Sequence, residues 1–248
     1  MDKTLLKGLD VLTHIARSDR GVRTTDVAAE LNLTKSNAYR LLRTLEAAGF
    51  VRQNLENKDF VASTKLWELG TQVMSRLDLR ERASDALRWL ADASRETVHL
   101  AILDGAEVIY IDKIDSPEPV ASYTRLGGRA PAYCVATGKA LLSGLPAHEL
   151  TALLPSLTQY SPSTITDPDA LNADLAAARS RGFAINRGEW RDAVWGLASP
   201  IRNTAGVAVA AVGVSGPQYR LEDAQRCAEL ADLVRSAAGR IEQSAYRS

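Results

Sequence analysis

Apolar side chains recur at helical spacing along the first third of the chain and then switch to alternation. Over residues 4–18, TLLKGLDVLTHIARS, the residues Leu5, Leu9, Leu12 and Ile15 form one stripe. That predicts a helix with Thr4 as its N-cap, stopped by the DRG at 19–21. A second short helix reads TTDVAAELN, with Val27, Ala28 and Leu31 on one side. Leu33 and Thr34 then make a tight connection to a third helix, with Thr34 as N-cap and Gly49 ending it. Two short extended runs, FVRQNLEN and KDFVAS, surround a polar turn and predict a hairpin. Three helices and a hairpin in about 65 residues are the element order of a winged helix-turn-helix.

Residues 65–95 keep a helical pattern without proline and predict a connecting helix followed by the first helix of a second domain. The expected division is a winged helix-turn-helix domain at 1–66, a linker helix at 67–80 and a second domain at 81–248. From His99 the period becomes two, and HLAILDGAEVIYIDKID alternates around an Asp104–Gly105 turn. VASYTRL at 120–126 is a further strand candidate. Short helices are expected from TGKALLSGLP and over 146–154. A longer one lies in TDPDALNADLAAARSRGF, between Asp167–Pro168 and Gly182. FAINR, GLASPIR and VAVAAVGVSG read as strands, and a helix over 222–245 closes the chain. Elements mixed without strict βαβ alternation make the class α+β, around a mainly antiparallel sheet.

Composition adds little until it is divided along the chain. The formal net charge of zero hides 11 Lys/Arg against 8 Asp/Glu over residues 1–66, and 19 against 22 over the remainder. A modest basic bias on an otherwise neutral protein suits a polyanion-binding module joined to something else. Two distant cysteines, Cys134 and Cys227, argue against a disulfide framework and for a reducing compartment. The first residues, MDKTLLKGLDVL, are too charged for a signal peptide, and no apolar run approaches a membrane span, so a cytoplasmic location with no membrane partner is expected.

On the third helix, Ala38, Leu41, Leu42, Leu45 and Ala48 share one sector. Opposite them lie Ser36, Arg40, Arg43 and Ala47, flanked by Tyr39 and Thr44. Such a face can be merely solvated. The short second helix, the tight turn, the capped third helix and a hairpin carrying Arg52 and Lys58 together favour a helix that reads double-stranded DNA. Phosphate contacts are expected from Lys35, Arg52, Lys58 and Arg40 or Arg43. Base contacts are expected from Ser36, Asn37, Tyr39, Arg40 and Arg43, with Thr34 at the helix N-terminus.

Enzymatic signals are sparse. His14, His99 and His148 share no ligand spacing with each other or with either cysteine, so no metal site is expected. No G-x-S-x-G elbow, Walker loop or G-x-G-x-x-G occurs, and no cofactor is implied. VGVSGP resembles half an elbow, but Ser215 has no base evident from sequence. The catalytic alternative, an enzyme acting on a small molecule with an accessory DNA-binding domain, rests on little else.

TTDVAAELNLTKSNAYRLLRTLEAAGFV, ATGKALL at 136–142 and GLASPIRNTAGVAVAAVGVSGP at 196–217, with the long linker helix between, resemble the IclR-type bacterial transcriptional regulators. The resemblance covers essentially the whole chain. It implies an N-terminal winged helix-turn-helix, a GAF-like effector-binding domain, and a homodimer or dimer of dimers on operator DNA. It also implies a small-molecule carboxylic acid effector whose carboxylate meets Ala136, Thr137 and Gly138 at the start of ATGKALL, where a simple capped helix would look the same. Further pocket positions carry over to Asn186, Gly196, Gly213 and Ser215. Relatives place an acidic residue, a cysteine and a serine at the first three, so this sequence departs from them. Glycine floors, with Trp190, Trp195 and Tyr133 nearby, suit an aromatic or similarly bulky acid. The competing expectation is that both tryptophans are core or interface residues.

Overall fold

The computed structural model describes residues 1–74, 79–122 and 124–245. The chain divides into two compact units, Met1–Leu77 and Asp78–Ser248. In the first, α1 (Lys3–Arg17) is capped by the Asp2 carboxylate, which accepts from the backbone N–H groups of Thr4 and Leu5, so Asp2 and not Thr4 is the N-cap. Its buried line is Val11 and Ile15, with Gly8 facing Leu41; Leu5 and Leu9 are exposed at 62% and 49%. The third helix crosses α1 one residue round from the expected stripe, which leaves those two leucines in solvent.

α2 (Thr24–Glu30) leads through Asn32, in the left-handed region at φ 49°, to α3 (Lys35–Ala47). The Thr34 hydroxyl accepts from Asn37 N–H and caps α3. Ala38, Leu41 and Leu42 are buried and Leu45 partly so, whereas Ala48 is exposed because the helix stops there. Gly49 takes φ +80°, a conformation that disfavours any side chain. β1 (Val51–Gln53) and β2 (Phe60–Ala62) pair antiparallel as the wing. Val22 adds a bridge to the fully buried Phe60, a third backbone partner of the wing that the sequence pattern did not announce. α4 (Thr64–Met74) follows. The part of the expected linker helix at 75–78 lies outside the described residues.

The second unit opens with α5 (Leu79–Ser94), then the hairpin of β3 (Thr97–Asp104) and β4 (Glu107–Ile114). Asp104 pairs with Glu107, so the two turn residues are Gly105 and Ala106, one position later than expected, with Gly105 at φ +59°. β5 (Arg129–Pro131) is the next strand. Among the described residues of 120–126 there is no strand, since the edge beside β4 is taken instead by Arg129–Pro131. After a 3-10 turn at Ala132–Cys134 come α6 (Ala136–Leu142), α7 (Ala147–Leu153) and α8 (Pro168–Arg181). α8 is capped by Asp167 and ends at Gly182 with φ +80°. β6 (Ala184–Arg187), β7 (Val194–Arg202) and β8 (Ala208–Pro217) complete the sheet. The expected closing helix is α10 (Ala224–Ala245), preceded by a separate short helix, α9 (Gln218–Leu221), that the pattern did not announce. Ala224 and Ala228 on α10 are exposed, and Leu230, Ala231, Val234, Ala237, Ala238 and Ile241 form its buried side.

The six strands run β5-β4-β3-β8-β7-β6 with every neighbour antiparallel. α5 and α10 cover one face and α6 the other. Under α6 the sheet presents Ala101, Ala184, Ala198 and Ala211, all fully buried, which lets Ala136 and Ala140 of the helix sit close to the strands. Among the described residues no helix is long and apolar enough to cross a membrane. The class is α+β, a winged helix-turn-helix unit joined to a unit built on an antiparallel sheet.

Candidate nucleic-acid interface and effector pocket

The first candidate site lies within the N-terminal unit. Lys35, Ser36, Arg40 and Arg43 are exposed on α3, and Tyr39 is 51% exposed. Asn37 is half-buried and its side-chain oxygen accepts from Arg40 Nη2 at 3.2 Å. Arg43 Nη1 donates to Glu46 Oε2, while Glu46 Oε1 accepts from the Gln53 backbone N–H at 3.1 Å. One carboxylate thus ties the helix to the first wing strand. Arg52 points outward from that strand, between buried Val51 and half-buried Gln53. Lys58 sits exposed at φ +63° in the wing turn, its carbonyl held by Gln53 Nε2 at 2.9 Å. Lys65 closes the far end of α3 by donating to Ala48 O at 2.8 Å. The result is an outward basic, hydroxyl-bearing helix face with a basic wing fixed to it.

The second candidate site is a cavity between the sheet and the start of α6. Ala136, Thr137, Asn186, Trp190, Gly196 and Ser215 all line it. Thr137 is 4% exposed; its Oγ1 faces the Tyr110 phenol, but makes no hydrogen bond of good geometry to it or to any other described residue. It does not cap α6, which starts at Val135 without a side-chain cap. Asn186 is committed to its own loop, donating to Val194 O at 3.4 Å and accepting from Glu189 N–H at 2.9 Å. Gly196 faces Ala136, and a Cβ there would come within 2.9 Å of Val214 O.

Three expected residues stand elsewhere. Gly138 lies behind the cavity wall, where a Cβ would meet Ala132 O at 2.1 Å, so close helix packing explains it. A Cβ on Gly213 would lie 2.6 Å from that of Ala198, so its glycine serves the sheet. Trp195 stacks under Arg187 at 5.7 Å and is not on the cavity wall. Tyr133 is also spoken for: its hydroxyl donates to Thr158 O at 2.8 Å and accepts from Thr158 N–H at 2.7 Å.

The cavity is small, about 40 Å³. That is room for a few waters rather than for a ring. Trp190 and Arg191, stacked at 4.5 Å, line both it and an adjoining groove of about 270 Å³ that also touches Tyr110, Thr124 and Arg129. The pair therefore stands between the enclosed space and the more open one.

The chain matches the family described as Bacterial transcriptional regulator IclR C-terminal over residues 71–243, and the IclR helix-turn-helix domain over residues 4–55. The chain belongs to the IclR family. The HTH-type transcriptional regulator XynR of Escherichia coli is 34% identical over 221 residues, covering 88% of each protein. The IclR of Thermotoga maritima superposes with a TM-score of 0.79 at 32% identity, covering 97% of each chain. An IclR homologue from Microbacterium hydrocarbonoxydans, crystallised with 4-hydroxybenzoate, gives 0.83 at 27% identity, over 98% of this chain and all of the other. This IclR-family protein is a transcriptional regulator with DNA-binding and effector-binding domains. Its relatives are named as regulators, and an enzyme with an accessory DNA-binding domain is not supported.

Several site residues escaped the sequence reading. His99 and Tyr110 line the same cavity, with rings 5.1 Å apart. His99 Nε2 lies 2.6 Å from Ser215 Oγ, so the serine does have a histidine partner. The pair has no orienting carboxylate, because His99 Nδ1 is buried with no partner among the described residues. Burial holds the His99 imidazole down at about 4, with Lys113 adding to the effect and Asp115 opposing it. Burial likewise pushes the Tyr110 phenol up to about 12, against the influence of the facing Thr137 hydroxyl. Beneath the pocket, Lys139 of ATGKALL is fully buried between Glu189 and Asp174. A lysine in an apolar helical run was the available signal for it. Among the described residues no cluster of His, Cys, Asp and Glu could hold a metal ion.

Proposed function

We propose that the protein controls a catabolic operon by binding operator DNA through α3 and the wing, under the command of a small organic acid held in the α6 cavity. Arg40, Arg43, Lys35, Arg52 and Lys58 supply phosphate contacts, and Ser36, Asn37, Tyr39, Arg40 and Arg43 meet base edges, with Thr34 at the helix start. A single recognition helix reads half a site. A homodimer, or a dimer of such dimers, spans half-sites about 34–36 Å apart. Effector binding shifts the populations of protomer arrangements, and the connecting helix from residue 65 carries that change to half-site spacing.

The observation that carries the effector reading is the buried Thr137 hydroxyl, unpartnered at the wall of a cavity that also holds Trp190 and Arg191. A carboxylate supplies the acceptor that Thr137 lacks, near the unpaired N–H groups at the start of α6. Trp190 offers a ring face, and Gly196 lines the same cavity without a side chain. The cramped volume means that an aromatic acid enters only as the Trp190–Arg191 partition moves outward. The 4-hydroxybenzoate complex of the Microbacterium homologue supports an aromatic acid as the ligand class.

Calorimetric titration of the full-length protein with benzoates and with short aliphatic oxoacids tests the effector class, and tight binding of the oxoacids alone would overturn it. Selection from a randomised duplex pool, repeated with the bound acid present, tests the link to DNA.

A further inference from the structure

Ser215 Oγ and His99 Nε2, 116 positions apart in sequence, meet at 2.6 Å on the cavity wall because β8 pairs with β3. Either atom can donate: the serine hydroxyl to an unprotonated Nε2, or a protonated Nε2 to the serine oxygen. The other ring nitrogen decides between them. Nδ1 is buried and no partner reaches it among the described residues. If Nδ1 carried the proton, a buried N–H would be left unsatisfied, which native interiors rarely tolerate; a bare lone pair is the cheaper vacancy. The ring is 4% exposed and packed against Tyr110, so the doubly protonated cation is not the species at neutral pH.

We infer that His99 is a positioning residue that donates through Nε2–H to Ser215 Oγ and so frees the serine hydroxyl to donate into the cavity. The wall beside β8 is therefore a hydrogen-bond donor. Thr137, on the α6 side of the same cavity, serves the ligand carboxylate. A ligand that satisfies both has a carboxylate and a second oxygen able to accept a hydrogen bond, as in a carbonyl-bearing or second-carboxylate acid. A plain hydrocarbon acid leaves the serine proton unpaired. This rests on the effector reading above and narrows it.

Two measurements separate the narrower claim from the broader one. The chain has three histidines, so histidine-labelled full-length protein permits a direct nitrogen NMR assignment of the His99 tautomer at neutral pH. The expected spectrum shows Nε2 protonated and Nδ1 bare; an Nδ1–H tautomer overturns the inference whatever any ligand does. The second measurement compares para-formylbenzoate, an acceptor without a donor, with its near-isostere para-vinylbenzoate, by quenching of tryptophan fluorescence. Wild-type protein is expected to prefer the formyl compound by about tenfold, the worth of one hydrogen bond in a desolvated site. The preference disappears in Ser215→Ala, shrinks in His99→Phe and survives in His99→Gln, whose amide still donates. A preference that grows in His99→Phe, or equal binding of the two acids by wild-type protein, overturns the inference. Binding of neither acid instead sinks the aromatic-acid reading, while the tautomer spectrum still decides the donor assignment.

Discussion

Lys139 Nζ lies 2.6 Å from Glu189 Oε2, and neither side chain is open to solvent. The same ammonium reaches Asp174 Oδ2 at 2.9 Å and donates to Ile185 O at 3.3 Å. It thus joins α6 to α8, to β6 and to the loop that carries Trp190 and Arg191. The arrangement is costly to assemble, and burial pushes the Glu189 carboxyl up despite the neighbouring Lys139. A pair in that position fixes where the pocket loop stands relative to the helix at its floor.

Lys139→Met should lower stability by about 3–5 kcal/mol, because Glu189 and Asp174 would face each other without a cation. Thermal unfolding should then fall by roughly 10 °C. Adding Glu189→Gln to that variant should recover part of the loss. A single variant as stable as the wild-type protein would show that the pair holds nothing together.

Gly138→Ala places a methyl carbon 2.1 Å from Ala132 O and 2.4 Å from Ala132 Cα, both backbone atoms that cannot swing aside. The expected cost is about 3 kcal/mol, the upper end for overpacking a core. The measurement is a denaturant titration compared with wild-type protein. An unchanged midpoint would mean that the helix can slide on the turn before it, and that Gly138 is free for another role.

The His99 ring gives a pH signature. Its folded-state pKa, about 4, lies below the ordinary 6.5, so the unfolded chain takes up the proton first as the pH falls. The stabilisation is fully present above pH 6.5 and is lost between 6.5 and about 4, in all roughly 3 kcal/mol. Lys113 and Asp115 act on the ring from the adjoining strand and the residues after it, with opposite signs. Urea unfolding followed across this window should show a steeper decline for wild-type protein than for His99→Gln. Parallel curves would place the ring in contact with water.

Local signals were the legible ones. Thr34 before α3, Asp167–Pro168 before α8, and the left-handed glycines Gly49 and Gly182 each mark a boundary through the backbone chemistry of one or two residues. What escaped depends on partners distant in sequence. Leu5 and Leu9 look like core until α3 is seen to cross α1 along Gly8, Val11 and Ile15. VASYTRL at 120–126 reads as a strand, yet of the described residues it is Arg129–Pro131 that pair with β4. His99 and Ser215 have no local sign of each other, since the strand order that joins them is set by the whole sheet. The resemblance puts Gly138 at the carboxylate and Gly213 on the pocket floor, but the atoms that demand glycine at these positions belong to Ala132, Leu197 and Ala198.

The Glu46 carboxylate, shared by Arg43 and the Gln53 amide, makes opposite predictions for two substitutions on one helix. The pair is partly exposed, with Arg43 at 52% and Glu46 at 26%, so breaking it should leave folding nearly unchanged. Arg43→Ala removes a guanidinium from the outward face and should weaken binding to a selected duplex by about 10- to 100-fold, with effector affinity intact. Glu46→Gln keeps an oxygen for the Gln53 N–H but releases Arg43 from its anion. The freed cation should find phosphate: affinity for mixed-sequence duplex rises, and the salt slope steepens by about one unit. Both variants are read by fluorescence anisotropy at a series of salt concentrations. If Arg43→Ala binds the selected duplex as tightly as wild-type protein, α3 does not read DNA through this face and the assignment of its outward residues fails.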